Sequence, residues 1–137
     1  MSTILAPSNI ASTRPATSLR RATLTVGVVA AAVTTGLVAA LHAAGVPFAA
    51  EGEVPLAAFA QFTFIGTVLG GLLVALLNRR STAPHRRFVQ TTTALVALSC
   101  VAPIALADGA ASTISLIGTH LVAAAMIVPV LARHTTD

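Results

Sequence analysis

Four uninterrupted apolar stretches constrain this chain more than any other feature. They run over about Ala22–Ala44, Leu56–Asn78, Phe88–Ala107 and Ser112–Ala132, and none contains Lys, Arg, Asp or Glu. At ~1.5 Å per residue each is long enough to cross a hydrocarbon core of ~30 Å. In that solvent every backbone N–H and C=O must find its partner within the fold, and a helix satisfies its own. The composition agrees: 55% of the residues are hydrophobic and only 9% are charged, against about a quarter charged in soluble domains. With 137 residues there is room for one domain. The fold expected is all-α, a four-helix transmembrane bundle.

The connections set its topology. Residues 45–55, 79–87 and 108–111 join successive spans. Loops this short make neighbours antiparallel, which gives an up-down-up-down order. Residues 1–19 are rich in Ser, Thr, Pro and Ala without periodicity, so they read as a disordered tail. Residues 20–134 form the membrane domain and residues 135–137 a short C-terminal tail.

Direction comes from the arginines. The net charge of +4 rests on eight arginines and no lysine. Arg14, Arg20 and Arg21 precede the first span, Arg79, Arg80, Arg86 and Arg87 fill the middle loop, and Arg133 follows the fourth span. With four spans these regions share one side, whereas Glu51, Glu53 and Asp108 fall on the other. The positive-inside rule puts both termini and the middle loop in the cytoplasm. The same rule accounts for the pI near 11.5, so nucleic-acid binding is not expected. Arg20-Arg21 before an apolar run also fits a secretory or twin-arginine signal cut near Ala43-Ala44. That core is longer than a usual signal, and three further spans follow it, so an uncleaved first span is the reading taken.

Lipid supplies no hydrophobic drive between helices, so small residues must let them approach. Gly66, Gly70 and Gly71 in the second span offer one such stripe, as do Ala32 and Gly36 in the first and Ser115, Thr119 and Ala123 in the fourth. Intrachain packing is the plain reading and a homo-oligomer the other. Pro103 and Pro129 each remove a backbone donor inside a span, and a gentle bend is expected at both. Phe48, Phe59, Phe62 and Phe64 gather around the outer half of span two, as a lipid-facing patch or as part of a pocket.

Ionisable residues inside spans are where function is sought first. Here they are two histidines, His42 near the outer end of span one and His120 about 12 Å deep in span four. His120 has three readings: a neutral imidazole that hydrogen-bonds a neighbouring helix, a ligand or proton contact in an outward-facing pocket, or a haem or metal ligand paired with His42. His85 and His134 lie among the arginines and read as solvated flanks. Ser99 and Asp108 extend the polar set, and Asp108 is expected to approach His120 at the outer mouth. Cys100, the only cysteine, reads as a small packing residue. No phosphate loop is present, and no carboxylate lies within a span. That absence argues against four-span exporters of the small multidrug type, which exchange protons on a buried carboxylate.

The run from Leu98 to Asp108, the stretch Thr119-His120-Leu121-Val122-Ala123-Ala124-Ala125, and Pro129 resemble a family of small actinobacterial membrane proteins, domain-of-unknown-function family 6069. Asn78-Arg79-Arg80 at the end of span two fits it too. The likeness covers about residues 20–134 and implies a four-span membrane protein without an established activity. If Pro103, Asp108 and His120 are recurrent polar points of that family, the outer half of spans three and four is the candidate site. The function expected is that of a non-enzymatic inner-membrane component of the cell envelope, structural or interacting, without cofactor or metal. A small transporter-like or ligand-binding bundle that uses His120 is the alternative, and a haem-binding redox component a weaker one.

Overall fold

The computed structural model describes residues 15–49, 52 and 54–136. Its helices are α1 (Pro15–Ala43), α2 (Leu56–Arg80), α3 (Pro84–Ser99), α4 (Val101–Leu106) and α5 (Ala110–Ala132). The segments Thr17–Ala43, Leu56–Arg80, Pro84–Leu106 and Ala110–Ala132 are each long and apolar enough to cross a membrane. Among the described residues there is no strand, only an isolated β-bridge at Ala49 and Ala107. α1 begins at Pro15, upstream of the start expected near Ala22. The rest of the tail expected over residues 1–19, and Glu51 and Glu53, lie outside the described residues.

Helix ends follow local chemistry. Pro55, in an extended conformation, precedes α2, and the Ser81 N–H donates to Leu77 O at 2.8 Å to close it. Pro84 opens α3 at its first turn, where a missing N–H costs nothing. Gly109 enters α5 with φ 90°, a conformation that side chains avoid.

The third span runs as one helical segment from Pro84 to Leu106, as expected. It is disturbed only at Cys100, between α3 and α4, whose backbone stays α-helical and whose N–H still reaches Val96 O at 3.2 Å. Pro103 has no N–H to offer the carbonyl of Ser99, and its ring crowds that carbonyl. Pro129 lies three residues from the end of α5, which stays one helix.

α1 and α2 make the closest contact in the bundle. Leu19, Thr23, Gly27, Ala30, Thr34 and Val38 are the buried residues of α1, and their spacing of three and four traces one stripe. The facing stripe of α2 is Thr67, Gly71 and Val74. A Cβ on Gly71 would lie 2.5 Å from Thr23 Oγ1 and 2.6 Å from its methyl. A Cβ on Gly27 would lie 3.1 Å from the Phe64 ring, and one on Gly70 would meet Leu131 of α5 at 2.9 Å. The small-residue stripe of α1 is therefore not Ala32 and Gly36. Both are exposed, and an added methyl at Gly36 or Gly66 meets nothing within 4 Å.

α5 packs on α1, α2, α3 and α4, while the backbones of α1 and α3 stay apart. At the arginine-bearing end, Leu19, Val74, Phe88, Leu131 and Ala132 form one core cluster. A polar clasp closes the same end. The Asn78 amide donates to His134 O at 2.9 Å and accepts from Thr136 N–H at 3.1 Å. His85 Nδ1 lies 3.3 Å from Ala132 O and 2.9 Å from Thr135 Oγ1. Since that hydroxyl donates to Ala132 O at 2.6 Å, it accepts from the His85 ring. His134 Nδ1 lies 2.9 Å from Val130 O. These histidines are not mere solvated flanks, because they meet the carbonyls that a helix end leaves without partners.

Gly71→Ala is expected to cost about 1–3 kcal/mol through overpacking, read as a lower unfolding midpoint in detergent. Gly66→Ala should change stability by no more than about 0.5 kcal/mol. Combining Gly71→Ala with Thr23→Ala should recover most of the loss, because the hydroxyl and methyl of Thr23 are the atoms that the new Cβ strikes. No recovery would show that the contact is not what limits this seam.

Candidate functional site

α2 meets α1 far more extensively than it meets α3. α2 and α3 meet near their joined end around Phe88 and Val74, and farther along a cavity of about 850 Å³ opens between α2, the α3–α4 span and α5. Its walls are largely apolar, with Phe59, Phe62, Leu69, Leu95 and Leu116 among them. Phe59 is fixed by an edge-on contact with buried Phe48, ring centroids 5.7 Å apart. Phe62 is 73% exposed, and Phe64 is spent on Gly27. The four phenylalanines thus divide between pocket wall and helix packing.

The polar groups in the wall are few and of two kinds. Thr92 and Thr119 hydrogen-bond their own helix, Thr92 Oγ1 to Phe88 O at 2.8 Å and Thr119 Oγ1 to Leu116 O at 3.0 Å. They are spent locally, as hydroxyls in helices commonly are. Ser99 and His120 instead reach across. Ser99 Oγ lies 2.6 Å from His120 Nε2 and 2.8 Å from Val96 O. The hydroxyl has one proton. If it goes to Val96 O, the oxygen accepts from Nε2–H and the neutral ring keeps a lone pair on Nδ1. If it goes to Nε2, Nδ1 carries the proton. Either way His120 is left with one ring nitrogen without a hydrogen bond to the described residues. Thr34 of α1, 2% exposed, also lines the cavity, and its hydroxyl has no partner among the described residues.

Ser99 sits where Pro103 disturbs the third span. It is the last residue of α3, one turn before Pro103, which itself lines the cavity. Cys100 is half-buried at the junction. Of the residues singled out from sequence, the structure brings together His120, Ser99, Pro103, Gly66 and Gly70 around this cavity. It does not bring Asp108 to His120. The Asp108 carboxylate accepts from Gly52 N–H at 3.3 Å, and its own N–H donates to Ala49 O at 3.0 Å. Asp108 straps the two arginine-free loops together, because it precedes α5 whereas His120 lies about 15 Å along that helix. His42 is exposed in the last turn of α1. Among the described residues no three His, Cys, Asp or Glu side chains gather to hold a metal ion.

Sequence reasoning missed Thr34, Asn78 and His85. Thr34-Thr35 was visible as the one polar doublet within an Ala/Val run, but pattern alone does not tell a hydroxyl bonded to its own helix from one left without a partner. A family model described as Family of unknown function (DUF6069) matches residues 14–137. No curated protein and no solved structure matches the chain.

Asp108→Ala is expected to leave the His120 imidazole NMR resonances in place, whereas Ser99→Ala should shift them. The reverse pattern would return Asp108 to the site.

Proposed function

The chain belongs to this family of unknown function, and we propose on that premise that it is a non-enzymatic binding protein of the bacterial inner membrane. Its ligand is an elongated apolar molecule with one hydrogen-bonding end group. The observation that carries this reading is the cavity of about 850 Å³ whose apolar wall holds the Ser99–His120 pair. That volume falls within the usual range of small-molecule sites, which combine apolar walls with a few placed polar groups. His120 supplies the free ring nitrogen, and Ser99 orients the ring.

The four apolar helices suggest a multi-pass membrane protein. Both termini lie in the cytoplasm in this reading, because the eight arginines share one side. The cavity then sits toward the outer leaflet at its His120 end. A structural or interaction role in the envelope is the second reading. It is favoured by the third span, the least enclosed of the four, whose outward residues Leu98 and Ile104 are 67% and 65% exposed.

Two variants test the binding reading. Gly66→Leu fills the cavity where an added Cβ meets nothing, and His120→Leu removes the polar end. Native mass spectrometry of protein extracted in membrane nanodiscs should show a retained apolar molecule that both variants lose without unfolding. A wild-type protein that retains nothing beyond what Gly66→Leu retains would overturn the proposal.

Orientation is tested separately in a Cys100→Ser background. In intact cells an impermeant thiol reagent should label Ala110→Cys and spare Thr82→Cys.

A further inference from the structure

A second hollow, of about 610 Å³, lies at the arginine-bearing end on the flank of the α1–α2 seam. Its floor is the Thr23–Gly71 contact, and Leu24, Val68 and Leu72 form an apolar trough above it. Arg20 and Arg79 stand at its mouth, beside Asn78 and Thr136 of the clasp. From Val68 to Arg79 the trough follows eleven helical steps of α2, ~16 Å of helix. It therefore runs from a doubly cationic rim into the depth of the hydrocarbon.

Among the described residues the charge at this rim has no counterpart. Neither arginine forms an ion pair among the described residues. The only described carboxylate, Asp108, is at the opposite end of the bundle, bound to Gly52. Two guanidiniums over an apolar trough match one chemistry, a phosphodiester joined to an acyl chain. Arginine presents a planar fork of donors to phosphate oxygens, and both residues sit where a span leaves the hydrocarbon, which is headgroup depth.

We propose that this hollow is a binding site for an acidic phospholipid, with the phosphate held between Arg20 and Arg79 and one acyl chain along Leu24, Leu72 and Val68. The site is separate from the His120 cavity and does not depend on the ligand proposed there. The small Gly71 surface that lets α1 close on α2 also makes the floor shallow, so the lipid seals the seam from its flank. Bound there, the lipid would stabilise the α1–α2 pair by an amount that grows logarithmically with free lipid above its Kd.

The test uses the full chain in detergent, with phosphatidylglycerol titrated against phosphatidylcholine and the bound lipid counted by native mass spectrometry. Phosphatidylglycerol should bind selectively at one site and raise the unfolding midpoint. Arg20→Gln and Arg79→Gln should each weaken it roughly fivefold. Arg86→Gln and Arg87→Gln, which remove the same charge at the same end but lie outside the hollow, should leave it unchanged. Ala75→Phe, which keeps both arginines and obstructs the trough, should also abolish selective binding.

Equal losses from all four arginine variants would show general attraction to a negative surface and overturn the site. Equal stabilisation by inorganic phosphate would show a free-anion site and overturn the lipid assignment.

Discussion

The approach of α1 to α2 is the constraint on which the rest of the bundle depends. Two helices in hydrocarbon gain nothing from hiding leucines from lipid, so they hold together only where their surfaces interdigitate. Gly71 accepts Thr23, and Gly27 accepts Phe64. α2 is committed to α1 and, through Gly70 and Leu131, to α5. Its seam with α3 is looser than its seam with α1, and the cavity borders that looser seam.

A second local event lies in the cavity wall. Pro103 has no N–H for the carbonyl of Ser99, and the third span is disturbed at Cys100 between them. Ser99, one turn before Pro103, faces a histidine from α5. The serine hydroxyl and the His120 ring together make a polar point in an otherwise greasy wall. In a medium that solvates neither donors nor acceptors, such a point has large leverage over what binds.

Most of the fold was legible in the sequence, because span length and absence of charge follow from the solvent alone. The four spans agree with the helices to within a few residues at most ends, although α1 starts earlier. His120 and Ser99 were legible as polar residues at membrane depth, and their partnership was not. Whether two side chains meet across helices depends on helix rotation, which small residues set at contacts that the pattern does not rank. Gly66 and Gly71 look alike in sequence, yet one faces open space and the other is pressed against a threonine. Asp108 was misplaced for a similar reason: a carboxylate at a loop bonds the nearest free N–H, and here that is Gly52 of the neighbouring loop. The role of His85 was hidden because its partners are carbonyls at a helix end, which carry no sequence signature.

The bundle is tied at both ends, by Asp108 with Ala49 and Gly52 at one and by Asn78 and His85 at the other. Among the described residues no such tie crosses the middle of the α2–α3 seam. The ligand proposed for the His120 cavity would then enter sideways, between those two helices. A molecule that arrives this way has already partitioned into lipid. Occupancy is then governed by the ligand's mole fraction in the bilayer and not by its concentration in water, and a compound too polar to dissolve in the membrane is screened out before it meets His120.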